Sequence, residues 1–436
     1  MCVCVCVCVF CSFQWQCYVP TLALLVENDL GLPITMVGWL YLAFVGTSIF
    51  SSLLLHLHLR FFTPFTLLWV GYAGRLLSGA LHAIACWAIT PASLPLLLAS
   101  RVIHGYTILL FPLSVVWIGA REELAVRAST LATRNAYSTF GIFFGIVAGA
   151  SLSAVLPTSL QAGAAPGWLN IAVSAFMLAW LRRSFADRSM LPTKKPPAKP
   201  PTDGGTAAAA PEEEAAPWLH VWLVGFAQFF GWFGFVAIEG SLSIVVEHLY
   251  GFTHANVVAV WVPTSAAMLL GTTLFAMLHK RKWRAASIAW IALAALLVGG
   301  VSLVAATRLM PSVASGIAID ATLSTVSIAC LTGGLGSLLF AFAVTNTLFN
   351  GILMQHLRPH QQSAFQTPVQ TLGAVGRGIG PYLATLAISY GEQLREGLGA
   401  KYMLVLSSAA IGLSIAVPSS FGRAFFDPPP PVPTMW

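Results

Sequence analysis

Four charged side chains fall well inside long apolar stretches of the sequence: Arg75, Arg101, Glu239 and Arg377. An arginine at the centre of a membrane helix costs about 2.5 to 3.5 kcal/mol on insertion scales, so it is kept only where it faces a polar cavity or a partner. Buried charges of this kind bind solutes or relay protons, and opposite charges in one bundle can neutralise each other. We therefore treat Arg101, Arg377 and Glu239 as candidates for a substrate or coupling site.

Each candidate also has a structural interpretation. Arg101 and Arg377 could each be structural instead, either in an ion pair with an acidic side chain or as a donor to backbone carbonyls. Glu239 could be a proton carrier or a fixed counter-ion, and these two roles predict opposite responses to pH. Arg75 is a fourth candidate for the site; the alternative is that the predicted helix boundaries place it too deep and that it lies nearer the membrane surface. His104 can titrate near neutral pH, although a single histidine on an apolar helix is more often a packed hydrogen-bonding residue.

The composition indicates an integral membrane protein. Of 436 residues, 57% are hydrophobic and only 8% are charged, whereas about a quarter of the residues in a soluble domain are charged. Apolar stretches long enough to span a bilayer as helices recur along the whole chain. We expect an all-α polytopic fold with twelve transmembrane helices in two six-helix bundles.

The chain divides at a change of composition. Residues 184–217 are rich in Pro, Ala and charge, which predicts a flexible linker that neither spans nor packs. The linker separates an N-terminal bundle, residues 1–183, from a C-terminal bundle, residues 218–420. Residues 421–436 contain a run of prolines and predict a disordered tail.

The distribution of basic residues predicts the orientation. With both termini in the cytoplasm, the inner loops hold most Lys and Arg residues, including Arg60, Arg134 and the run from His279 to Arg284, while the outer loops hold only Arg308, Arg395 and Lys401. Short cytoplasmic loops carry such an excess. Glu27 and Asp29, at the outer end of the first segment, are expected to be a solvated rim.

Regularly spaced glycines predict close helix contacts. Gly141, Gly145 and Gly149 recur every fourth residue and make one smooth helix face, which lets another helix approach closely. We expect these helices to slide or rock at the interface between the bundles. Shifting the chain along itself places Gly141 and Gly145 over Gly376 and Gly380, and Ile146 over Pro381. This match favours two parallel repeats.

These residues resemble the major facilitator superfamily. The run L-L-A-S-R-V-I-H-G resembles the family's arginine motif, with Arg101, His104 and Gly105 at its key positions, and the glycines before Ala150 and Pro381 resemble its antiporter motif. Glu239 and an arginine before Gly-Pro, Arg377, are similar to the lysosomal ceroid-lipofuscinosis group, with drug/proton antiporters as the rival. The resemblance implies a lysosomal, vacuolar or plasma membrane. The loop S-S-L-L-L-H-L-H-L-R-F-F departs from the family by lacking its glycine and aspartate.

We therefore expect a secondary-active transporter that moves a small anionic or zwitterionic solute by alternating access, with protons as candidate coupling ions. The alternative is a non-transporting receptor or scaffold, or an anion-conducting protein of the same fold. We expect no enzyme, because no nucleophile, metal or paired-carboxylate motif is present, and no cofactor or metal. Basic residues confined to loops argue against nucleic acid. The expected partners are the solute and the bilayer, and the expected state is a monomer.

Overall fold

The computed structural model describes residues 2–88, 92–114, 124–156, 159–184, 218–252, 256–309, 321–357, 359–394 and 398–426. The predicted linker from 185 onward, the charged loop Arg121 to Glu123 and the tail from 427 lie outside the described residues. Helices account for nearly all of the described chain. Ten of them are long and apolar enough to cross a membrane.

Six long helices form the N-terminal bundle. They are α1 (Cys2–Gln16, continued by Val19–Leu24 and a π-helical turn Leu25–Asp29), α2 (Thr35–Leu53), α3 (Pro64–Ala88), α4 (Ser93–Tyr106, continued by a 3₁₀ turn Thr107–Leu109), α5 (Leu124–Val155) and α6 (Ser159–Ser184). The loop that lacks the family's glycine and aspartate forms a short helix, Leu55–Phe61, and its His58 is hydrogen-bonded to the Tyr106 hydroxyl.

Six further helices form the C-terminal bundle. They are α7 (Trp218–Tyr250), α8 (Val258–Lys280), α9 (Ala285–Leu309), α10 (Ala321–His356), α11 (Pro359–Leu394) and α12 (Leu398–Ser420). The two long helices outside those ten apolar ones are α3 and α11. The prediction of an all-α protein with twelve membrane helices is confirmed.

Both bundles use the same pattern of helix pairs. In the first bundle α1 packs against α5, α2 against α4 and α3 against α6; in the second, α7 packs against α11, α8 against α10 and α9 against α12. The seam between the bundles is formed by α2 with α11, α5 with α8 and α1 with α7. The repeat predicted from a few glycines therefore extends over six helices, as in transporters built from parallel repeats.

The regularly spaced glycines lie inside the bundles. A methyl group added at Gly141, Gly145 or Gly149 would lie 2.2 to 2.5 Å from a carbonyl oxygen of α1, and one at Gly376 or Gly380 would lie 2.2 to 2.3 Å from a carbonyl oxygen of α7. Gly105 makes an equally close contact with α2. Each of these glycine faces therefore holds its helix to another helix of the same bundle, although α5 and α11 both lie along the seam; that these helices rock at the interface stays a prediction.

The close contacts across the seam involve other glycines. A methyl group at Gly38 of α2 would lie 2.7 Å from Thr385 Oγ1 of α11, and one at Gly378 of α11 would lie 3.0 Å from Val45 Cγ1 of α2. Small residues thus let the two bundles approach in the outer and central parts of the seam.

The tail begins later than predicted. Residues Arg423–Phe426 form a short helix, and Phe425 is fully buried. Its ring contacts Phe349 and stacks on His220, which in turn stacks on His356. The prediction of disorder from residue 421 is therefore wrong for this segment, because an aromatic side chain after α12 finds an apolar site at the base of the second bundle.

Candidate functional site

Glu239 lies at the seam between the two bundles. Its side chain is buried, with 2% of its surface exposed. Gln16 Nε2 of α1 donates a hydrogen bond to Glu239 Oε1 at 2.8 Å. Because α1 and α7 belong to different bundles, this bond joins them. The helix α1 is interrupted immediately after Gln16, where Pro20 has no N–H to donate to the Gln16 carbonyl oxygen.

Arg377 of α11 lies within electrostatic range of Glu239, without direct contact among the described bonds. Its guanidinium carbon is 3.5 Å from the centroid of the Trp232 ring, a cation–π geometry. The side chain is half-buried, and no described carboxylate forms a direct ion pair with it. Arg377 is therefore held by an aromatic face and retains N–H donors for another partner.

A chain of amides continues from Trp232 along the second bundle. Trp232 Nε1 donates to Gln228 Oε1 at 2.8 Å, and Gln228 Nε2 donates to Asn346 Oδ1 at 2.8 Å. Asn350 Nδ2 donates to the Asn346 carbonyl oxygen at 2.7 Å. Both asparagines are half-buried. Sequence reasoning missed this chain, because amides four residues apart in an apolar helix are also common packing residues.

Arg101 lies in the polar core of the first bundle. It is fully buried; its Nη2 donates to His82 Nδ1 at 2.9 Å, and its guanidinium carbon is 4.0 Å from the Tyr18 ring centroid. His82 Nε2 in turn donates to the Gly163 carbonyl oxygen at 2.9 Å. This pair of bonds fixes His82 as a neutral imidazole. Tyr41 lies within electrostatic range of both Arg101 and Glu239.

Arg75 and His104 lie in the same core. Arg75 is fully buried and lies near the middle of α3, which favours a deep position over one near the membrane surface. Its Nη1 donates to the Cys11 carbonyl oxygen and to Gln14 Oε1, both at 3.0 Å. His104 is fully buried and lies 3.5 Å from the Ser78 hydroxyl. The structure thus brings Glu239 and Arg377 to the seam, while Arg75, Arg101 and His104 lie inside the first bundle.

The outer ends of α1 and α7 are held together by three polar contacts. Glu27 Oε1 is 3.3 Å from His248 Nε2, Asn28 Nδ2 donates to Glu247 Oε1 at 2.6 Å, and Ser243 Oγ donates to the Pro20 carbonyl oxygen at 2.8 Å. We call these contacts the outer latch. The sequence predicts Glu27 in a solvated rim; its side chain is 27% exposed and also contacts the other bundle, so it is a partly solvated rim residue with a contact across the seam.

The polar contacts between the bundles are asymmetric. The hydrogen bonds and the ion pair that the structure describes between the bundles lie at Gln16 and Glu239 or on the outer side of them. On the other side, where α1 begins and α12 ends, the half-buried polar residues include Arg134, Arg377, Asn346 and Asn350. We call this second side the inner side; the described contacts hold the bundles together on the side away from both ends of the described chain.

Arg134 is a further charged residue of this inner side. The sequence placed it in an inner loop, but it lies within α5, in an apolar window from Thr133 to Leu152 that meets the criterion for a membrane span. It donates to Cys8 Sγ, Ser114 Oγ and the Phe111 carbonyl oxygen at 3.1 to 3.2 Å. It also lies within electrostatic range of Arg377, across the seam.

The fold has many counterparts among solved structures. A bacterial homologue of the human lysosomal transporter Spinster matches in an inward-facing, unoccupied conformation, with 13% identity and a TM-score of 0.64 over 99% of this chain and 98% of that one. The same homologue in an inward-facing, occupied conformation matches with 12% identity and a TM-score of 0.66 over 99% of this chain and 98% of that one. The human organic anion transporter MFSD10 (TETRAN) matches with 15% identity, TM-score 0.56 and 95% and 97% coverage. The nucleoside transporter NupG matches with 12% identity and a TM-score of 0.60, covering 97% of this chain and 99% of that one.

The sequence itself identifies the family. No curated protein matches the chain, but the family model described as Major Facilitator Superfamily matches residues 4–381. That range includes all of the first bundle's helices and most of the second bundle's. Together with the twelve-helix repeat and the asymmetric seam, it shows that the chain belongs to the major facilitator superfamily of membrane transporters.

Proposed function

We propose that this protein is a secondary transporter that carries a small anionic solute by alternating access, with Glu239 as its proton carrier. One observation carries the proposal: Glu239 is buried between the bundles, is bonded to Gln16 of the opposite bundle, and lies within electrostatic range of the half-buried Arg377. A carboxylate in this place responds to both the solute and the position of the bundles.

The charges near the membrane centre favour an anion. Three arginines and one glutamate form the set that the sequence places well inside the membrane, so the interior has an excess of positive charge. We propose that Arg75 and Arg101 stabilise the first bundle, because both are fully buried and bonded to neutral acceptors. Arg377 is left as the cation that a solute can reach from the inner side.

The bond between Gln16 and Glu239 suggests how a proton would act on the bundles. An ionised carboxylate accepts a charge-assisted hydrogen bond, which is about twice as strong as a neutral one. Protonation of Glu239 weakens the bond to Gln16 and so favours separation of α1 from α7. The outer latch then remains as the main polar contact to be broken before the outer side can open.

The experiment is uptake by the purified full chain in proteoliposomes across a pH gradient, with a panel of labelled organic anions. The variants are Glu239→Gln and Arg377→Gln. The control is Arg182→Gln, which removes an exposed arginine at the inner end of α6. We expect the control to match the parent, Arg377→Gln to lose uptake, and Glu239→Gln to lose stimulation by the pH gradient. Equal uptake by all four proteins, or no uptake of any panel member by the parent, would contradict the proposal.

We further propose that the inner side faces the cytoplasm, that the host membrane is lysosomal, vacuolar or the plasma membrane, and that the protein acts as a monomer. The excess of basic residues in loops on the inner side supports this orientation. Protease access to a tag placed after Trp436 in intact cells tests it. Cleavage from outside the cell or from the organelle lumen would reverse the orientation.

A further inference from the structure

Each wall of the inner side presents an arginine over an aromatic ring. On the wall formed by the second bundle, Arg377 lies 3.5 Å from the Trp232 ring centroid. On the wall formed by the first bundle, Arg134 lies 5.2 Å from the Phe111 ring centroid. Both side chains are half-buried. The two bundles thus offer similar cationic groups from opposite sides of the seam.

The two arginines lie at the same depth. Arg134 is bonded to Cys8, which is eight residues before Gln16 on α1, and Arg377 lies over Trp232, which is seven residues before Glu239 on α7. Since a helix rises 1.5 Å per residue, both arginines sit about 10 to 12 Å to the inner side of the Gln16–Glu239 bond. Their electrostatic interaction across the seam agrees with this position.

Both guanidinium groups have donors to spare. The hydrogen bonds of Arg134 go to neutral acceptors, namely Cys8 Sγ, Ser114 Oγ, Asn135 Oδ1 and the Phe111 carbonyl oxygen. An arginine has five N–H groups, so one N–H on Nη1 and one on Nη2 stay available among the described contacts. Arg377 Nε is buried without a described partner. Planar pairs of such donors match a carboxylate.

We propose that Arg134 and Arg377 clamp a small organic dianion between the bundles, with one carboxylate of the solute on each arginine. This inference rests on the proposed transport function and names its substrate class. The two guanidinium groups project from opposite walls, so a solute with separated charges fits them better than a single compact anion. Arg134 is then a binding residue of the first bundle.

The net charge of the site depends on whether Glu239 is protonated, so the charge of the bound solute should decide whether a proton is taken up with it. Arg134, Arg377 and an ionised Glu239 together carry one positive charge, whereas the same set with Glu239 protonated carries two. A bound dianion makes the site neutral when Glu239 is protonated, whereas a bound monoanion makes it neutral when Glu239 is ionised. Because uncompensated charge is costly away from water, dianion binding should take up a proton and monoanion binding should not.

The test is equilibrium binding of succinate, monomethyl succinate and inorganic phosphate to the purified full chain by isothermal titration calorimetry at pH 7. Succinate and its monomethyl ester have the same backbone and differ by one charge. We expect the parent to bind succinate at least about tenfold more tightly than the ester. Arg134→Gln and Arg377→Gln should each remove this preference, while Arg182→Gln should keep it. Size-exclusion profiles and Tm values establish that the variants are folded.

Two outcomes would overturn the clamp. One is a parent that binds the monoester as well as succinate, or phosphate better than succinate. The other is an Arg134→Gln variant that is folded and keeps the preference for succinate. Either result could occur in a protein that still transports a monoanion through Arg377 and Glu239, so the clamp can fail while the proposed function stands. Loss of all uptake in the parent would instead contradict the proposed function.

Discussion

At the scale of single residues, the buried charges form two groups with different surroundings. Glu239 and Arg377 lie at the seam, where one is bonded across it and the other is half-buried. Arg101 and Arg75 lie in a core of neutral acceptors inside one bundle, without exposure. The sequence selected all four because a charge in an apolar helix is conspicuous. It could not separate the groups, because the partners Gln16 and His82 lie on other helices.

Arg101 provides a test of this separation. Arg101→Gln removes the hydrogen bond to His82 Nδ1 and the contact with the Tyr18 ring. We expect the free energy of unfolding to fall by about 1 to 3 kcal/mol, the cost of leaving buried polar groups unpaired. Thermal unfolding in detergent measures the change as a lower Tm. An unchanged Tm together with lost anion binding would mean that Arg101 contacts the solute.

At the scale of helices, glycine contacts set which pairs of helices move together. The glycine faces of α5 and α11 fix these helices to α1 and α7 of their own bundles. The sequence predicted the close packing and the repeat correctly, because a four-residue glycine spacing needs only one helix to be recognised. It could not show which helix was the partner. The seam glycines Gly38 and Gly378 have no such spacing, so only the fold reveals them.

Stability measurements test whether the glycine faces of α5 and α11 make equally close helix contacts. Gly141→Ala and Gly376→Ala each place a methyl group 2.2 Å from a carbonyl oxygen of the neighbouring helix. Backbone must shift to relieve such a contact, so we expect each variant to lose about 1 to 3 kcal/mol of stability. Gly300→Ala is the control, since its methyl group would meet nothing within 4 Å. A Tm for Gly141→Ala equal to that of the control would refute the close helix contact.

At the scale of the whole molecule, the outer latch and the Gln16–Glu239 bond hold the two bundles together at the centre and on the outer side of the seam. The latch could not be predicted from the sequence, because Glu27 and His248 lie in different repeats and each resembles an ordinary charge at a helix end. Surface ion pairs contribute about 0 to 1 kcal/mol each, and a hydrogen bond to a carboxylate contributes about 1.5 to 3 kcal/mol. The latch is therefore strong enough to set the state and weak enough to open.

Removing the latch should shift the conformational equilibrium. Glu27→Gln combined with Glu247→Gln weakens two of its contacts, and a change of about 1.4 kcal/mol alters the ratio of states tenfold. Spin labels attached without cysteine chemistry at the exposed Trp39 and Tyr390 positions measure the opening at the outer side. We expect a larger population of long distances than in the parent. Arg308→Gln, an exposed outer residue away from the seam, is the control. Identical distance distributions in all three proteins would show that the latch does not hold the outer side closed.

Glu239 is proposed to carry a proton together with an anionic solute. The most direct measurement records succinate uptake and internal pH together in proteoliposomes, for the parent and for Glu239→Gln. We expect the parent to take up succinate with protons when the outside is acidic. We expect Glu239→Gln to exchange succinate across equal pH without moving protons. Succinate uptake by the parent with no proton movement, or proton-coupled uptake by Glu239→Gln, would show that Glu239 is not the proton carrier.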